Sequence, residues 1–185
     1  MSRAAVFIDG NNFYFKLKDL TNGKNVYPLL DFRFYDFASW LVKPNTLATA
    51  RYYIGALKRQ RGNEKSEKMY ADQQKLLARL QRQNIQVVLG QLIQHPDKTY
   101  HEKGVDVRIA VEMIRLAREG VYDTAYLLSS DTDLVAAVEE VQSFGKKVHY
   151  VGIAKGQSFG LTKVSNDVRL LCLEDIEAFL PATLL

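Results

Sequence analysis

Short runs of consecutive apolar residues punctuate the chain at 4–8, 52–57, 85–89, 125–128, 148–151 and 170–173. Each is rich in β-branched or aromatic side chains and too short for a helix, so each predicts a strand. A strand apolar on both faces is one buried between two layers, as in a parallel sheet. Between the runs the period changes. Val107, Ala110, Val111, Ile114 and Ala117 recur at the spacing of one helix face, and Leu134, Val135, Val138 and Val141 do the same. Leu76, Leu77 and Leu80 mark a third helix, and 32–41 a fourth. Strand alternating with helix predicts right-handed βαβ units with helices on both faces of a mainly parallel sheet. The expected fold is α/β, a three-layer sandwich. No repeat, low-complexity tract or linker divides the 185 residues, so one domain is expected over 1–185.

Such sheets bind ligands outside the carboxyl ends of their strands, where strand order reverses. Four acids fall at that edge. Asp9 ends the first run in Phe7-Ile8-Asp9-Gly10-Asn11-Asn12. Asp131 and Asp133 follow the fourth in Ser129-Ser130-Asp131-Thr132-Asp133, and Asp106 opens the helix that leads into that strand. Singly, each has a plainer explanation: Asp-Gly-Asn-Asn is a turn former, and acids after Ser130 or Gly104 suit a helix start. Their conjunction is what carries chemistry. Unit charges about 4 Å apart repel by roughly 4 kcal/mol at an effective dielectric near 20, so clustered carboxylates spread, take up protons or bind a cation. Oxygen donors without His or Cys at ligand spacing favour Mg²⁺ or Mn²⁺, which can activate water and offset charge on a phosphodiester.

Charge adds a partner class. Lys+Arg exceed Asp+Glu by 25 to 21, giving +4 and a pI near 9.1. Lys58, Arg59 and Arg61, with Lys65 and Lys68 beyond, form a basic segment apart from the acids, fit either for a phosphate backbone or for a solvated loop. The single cysteine, Cys172, excludes an internal disulfide and argues against a structural zinc site. The run at 4–8 is broken by Asp9, too soon for a signal peptide, and no apolar stretch is long enough to span a bilayer. A soluble, cytoplasmic protein with no membrane partner is expected, and its oligomeric state is left open.

In order and spacing, the segments around Asp9, around Lys103-Gly104-Val105-Asp106-Val107, and from Ser129 to Leu134 resemble the three motifs of the NYN domain, in the LabA-like branch of the PIN-like nucleases. The likeness runs from about Ala4 to Asp167. It implies a flavodoxin-like or Rossmann-like sheet, Mg²⁺-dependent cleavage of RNA, and metal-binding acids at Asp9, Asp106, Asp131 and Asp133. It also implies substrate-positioning roles for Asn12 and Ser129, and a later acid at Asp167. Two positions depart from the family pattern: Glu112 stands where relatives often carry Asp, and Asn166 where a small apolar residue is usual.

Other features carry less. Tyr100 and His101 are either base-stacking or ordinary loop residues, and the scattered His95, His101 and His149 do not make a histidine-based catalytic pair. Gly152, Gly156 and Gly160 lack the dinucleotide spacing, and that stretch is expected to be a loop. A metal-dependent ribonuclease is thus the first expectation. A non-catalytic RNA-binding or regulatory module is the second. A haloacid-dehalogenase-like phosphatase is a minor third, because Asn11 occupies the position where its second Asp is required.

Overall fold

The computed structural model describes residues 2–21, 30–57, 59, 61–94 and 100–180. A sheet of seven strands runs β1 (Arg3–Asp9), β2 (Thr46–Ala56), β3 (Gln86–Gln94), β4 (Tyr100–Lys103), β5 (Thr124–Leu128), β6 (Lys147–Ile153) and β7 (Asp167–Leu171) along the chain. In space the order is β4-β3-β2-β1-β5-β6-β7, with six neighbouring strands parallel and β4 antiparallel at one edge. The sequence therefore grows outward from β1 in one direction, then crosses back to β5 on its other side. That crossover makes the gap beyond β1 and β5 the topological switch point.

Period-2 alternation in β1 explains the two-sided core. Ala4, Val6 and Ile8 enter one cluster, with Phe13 and Leu17 of α1 (Gly10–Leu20), Phe34, Phe37 and Leu41 of α2 (Phe34–Leu41), and Leu80 of α3 (Glu64–Arg82). Ala5 and Phe7 enter the other, with Ile109 and Met113 of α4 (Val105–Arg118), Val138 of α5 (Val135–Ser143) and Leu161 of α6 (Phe159–Val164). Helices on both faces give the expected three layers. A seventh helix, α7 (Leu173–Glu177), adds Ile176 to the first cluster. Among the described residues no helix is long and apolar enough to cross a membrane.

Several elements differ from the pattern reading. Helix α4 carries apolar residues on two stripes. The sheet takes the one formed by Val105, Ile109, Met113 and Leu116, while Val107 and Val111 stand 64% and 56% exposed. The last strand begins at Asp167, and Leu173 already belongs to α7. The stretch expected to be a loop contains α6, whose N-cap Ser158 accepts from the backbone of Leu161. Helix α1 begins directly at Gly10, where a turn was an equal expectation. A Cβ on Gly10 would run into the ring of Tyr52, so this position has to be glycine for the first turn to lie against the sheet.

Candidate active site

Asp9 is the last residue of β1 and at once the N-cap of α1. Its Oδ1 accepts the backbone N–H of Asn12 at 3.0 Å, and its Oδ2 accepts the Oγ–H of Ser129 at 3.0 Å. Burial pushes the Asp9 carboxyl above its ordinary value, the two hydrogen bonds oppose that rise, and the charge of Asp131 adds to it. Ser129, fully buried after β5, also accepts the backbone N–H of Asp131 at 3.2 Å. One hydroxyl thereby ties the end of β1 to the turn after β5. Asp131 in turn caps the 3-10 turn Thr132–Leu134, its Oδ1 accepting from the backbone of Asp133 at 2.9 Å.

Asp106 comes in from the crossover. Gly104 takes the left-handed backbone at φ 78°, which reverses the chain out of β4 and starts α4 with Asp106 in its first turn. Burial, then the charges of Asp131 and Asp9 and a hydrogen bond shared with Asp131, hold the Asp106 carboxyl up at about 6. Three acids separated by up to 122 positions in the chain thus feel one another at a single edge.

Asp9, Asp106 and Asp131 line a cavity of about 410 Å³, together with Asn12, Ser130 and the residues of α1 and the β6–α6 loop that face them. Two cations stand on its rim. Lys16 donates to the carbonyl of Gly156 at 3.4 Å, with its ammonium shifted down by burial against the pull of Asp19 and Asp9. Lys155 pairs with Asp19 at 3.2 Å.

The other residues singled out in the sequence lie elsewhere. Asp133 is exposed and outside the cavity lining. Ser129 sits behind Asp9 with no exposed surface, so it orients the acids and offers nothing to a substrate. Arg59 and Arg61 are exposed beyond the carboxyl end of β2, Arg59 paired with Glu67 at 3.3 Å, and neither lines the cavity. Lys58 falls outside the described residues, as do His95 and the side chains of Tyr100 and His101 on β4. Asp167 begins β7 at the amino edge of the sheet, where its carboxylate faces His149 at 3.8 Å, far from the pocket end. Glu112 is a strut: it accepts from Arg51 and from the Tyr53 hydroxyl, each at 2.7 Å, and fastens α4 to β2.

Lys16, Asp19, Phe15 and Lys155 were not anticipated from sequence. A signal existed: once Asp9 is taken as a helix cap, Asn12, Phe15, Lys16 and Asp19 fall at i+3 and i+4 spacing on one face. Lys155 follows a strand end and had no comparable signature.

The chemistry of the donor set fits a hard divalent cation, since it offers only oxygen ligands and the charge of Asp131 raises the proton affinity of Asp9 and Asp106. Among the described residues no three His, Cys, Asp or Glu side chains yet stand at metal-ligand spacing. The arrangement is that of an acid pocket in which the charges of Asp131 and Asp9 bear on the half-buried carboxyl of Asp106.

Comparison with known proteins agrees with this architecture. The NYN domain family model matches residues 3–170. An uncharacterized protein of Sinorhizobium fredii, y4oD, is 40% identical over 52 residues, 28% of this chain and 24% of that protein, so the chain matches only about a quarter of that relative's length. The crystal structure of VPA0982, a protein of unknown function from Vibrio parahaemolyticus, is similar at a TM-score of 0.66 over 95% of both chains with 20% identity, which is a likeness of fold.

Proposed function

The chain belongs to the NYN domain family, within the PIN-like nuclease superfamily, and on that premise we propose that it is a metal-dependent ribonuclease of the LabA-like branch. The observation that carries the reading is the convergence of Asp9, Asp106 and Asp131 on one cavity at the switch point of the sheet. These three would hold Mg²⁺ or Mn²⁺, with Asp133 acting from outside the cavity; such an ion supplies Lewis acidity to a phosphate and to water. The chain's own contributions are positional. Ser129 and the Asn12 amide fix both oxygens of Asp9. The Asn12 side chain on the cavity wall orients the scissile phosphate, and Lys16 and Lys155 hold the neighbouring backbone of the RNA. Arg59 and Arg61, exposed beyond the carboxyl end of β2, extend the basic surface along the same sheet edge. The lone cysteine, Cys172, suits work in the reducing cytoplasm.

A non-catalytic RNA-binding module is the second reading, favoured by the lack of a preformed three-ligand metal cluster among the described residues. Cleavage of single-stranded RNA with and without Mg²⁺ separates the two. The nuclease reading expects metal-dependent turnover that Asp131→Asn abolishes with the fold intact, and that Asp133→Asn lowers by roughly 10–100-fold through weaker metal binding. Binding without metal-stimulated cleavage would leave the module.

A further inference from the structure

Helix α4 carries a second apolar stripe, turned away from the sheet. Val107 and Val111 lie one turn apart and are 64% and 56% exposed, and Ile114 continues the stripe, partly buried. Hollows flank it on both sides: about 680 Å³ between the stripe and Gly90–Gln91 of β3, and about 520 Å³ beside Ile114 and Arg118. Neither hollow shares a lining residue with the acid cavity. A scattered surface valine needs no explanation, but a continuous apolar stripe rimmed by charges marks an interaction surface.

The charges say what covers it. Along one flank of the stripe Arg108, Glu112, Arg115 and Glu119 alternate in sign from the start of α4 to its C-cap. Arg115 reaches Glu112 and Glu119 only at 3.9 Å each, and among the described residues the Arg108 side chain has no ion pair. Read backwards, the flank has every sign exchanged. Two antiparallel helices related by a two-fold axis bring this same flank to the same side of their seam. Arg108 of each copy then stands opposite Glu119 of the other, and Arg115 opposite Glu112. Both pairings are centred between Met113 and Ile114, so a single axis serves them all. A parallel pair would instead set like charge on like.

We propose that this face of α4 is an interface between two copies of this chain, paired antiparallel over Val107, Val111 and Ile114. The inference goes beyond the nuclease reading and does not depend on it. Burial of the stripe supplies the attraction, and the alternating flank fixes direction and register.

The test is sedimentation equilibrium of the full chain across the micromolar range at low salt. The wild type should form a species of twice the 21.1 kDa chain mass. Val111→Glu, which puts a charge in the middle of the seam, should weaken association by roughly 30-fold or more. It should leave the thermal midpoint of the dilute chain unchanged, because the side chain is exposed there. Arg108→Glu and Glu119→Arg should each weaken association as well, since each creates two like-charge contacts across the axis. Mixed in equal amounts, these two variants should associate again, and so should the double variant, because opposite charges then face each other at both positions. A wild type that stays monomeric throughout the range, a dimer indifferent to Val111→Glu, or charge variants that do not rescue one another would each overturn the inference.

Discussion

The hydroxyl of Ser129 donates to Oδ2 of Asp9 at 3.0 Å across 120 positions of sequence, and this buried bond joins the two central strands of the sheet at the point where the cavity opens. Ser129→Ala leaves one oxygen of a buried carboxylate without its partner. The expected cost is about 1–3 kcal/mol, which for a chain of this length lowers the thermal midpoint by several degrees. The lost bond also favoured the ionised form of Asp9, so the acid limb of the cleavage profile should move to higher pH. An unchanged melting curve together with an unchanged acid limb would refute the coupling.

Asp106 supplies a pH dependence whose sign follows from its environment. Its carboxyl is held at about 6 in the folded chain against 3.8 as the ordinary value. A raised folded value means that the stabilisation is complete below the ordinary value and is lost as pH rises through about 6. Without divalent ions, stability should therefore fall between about pH 4 and 6, and Asp106→Asn should flatten that fall. Mn²⁺ should stabilise the wild type above pH 6, where Asp106 is charged. Parallel wild-type and Asp106→Asn stability curves over this range would count against the clustering of these acids.

Glu112 stands in for no ligand; it braces α4, and hence Asp106, against β2. Its side chain is 17% exposed and that of Arg51 14%. Glu112→Gln should cost on the order of 2 kcal/mol, less than the roughly 3–5 kcal/mol of a fully buried pair. Replacing both partners with apolar residues should recover most of it. Chemical denaturation of the single and double variants checks this, and a double variant no more stable than Glu112→Gln would contradict the strut.

How far the molecule could be foreseen depended on what each element uses to declare itself. The central strands were legible because β1 and β5 are apolar on both faces, as the two clusters they divide require. Asp9, Asp106 and Asp131 were legible because topology alone sends the ends of β1 and β5 and the start of α4 to one edge. Helix α1 was obscured by its own cap, since Asp9-Gly10-Asn11-Asn12 is turn chemistry as readily as helix-start chemistry. In α4 the period was right and the face was not, because two apolar stripes compete and only packing against the sheet selects Val105, Ile109 and Met113 over Val107 and Val111. Strand β4 reads Tyr-His-Glu-Lys, which has neither strand alternation nor apolar character; its pairing with β3 defines it. Lys16 and Lys155 reach the cavity from separate elements, a proximity no local pattern encodes. Ser129 was placed in the right neighbourhood, but a motif position does not reveal that its side chain is buried against Asp9.

The central claim is that three acids remote in sequence form one cation site at the end of β1 and β5. Crystals soaked in Mn²⁺ and measured at the manganese edge test it directly. The account predicts an anomalous peak in the cavity bounded by Asp9, Asp106 and Asp131, absent from Asp131→Asn crystals. A saturating soak that leaves this cavity without a peak, or puts the ion elsewhere on the molecule, would contradict it.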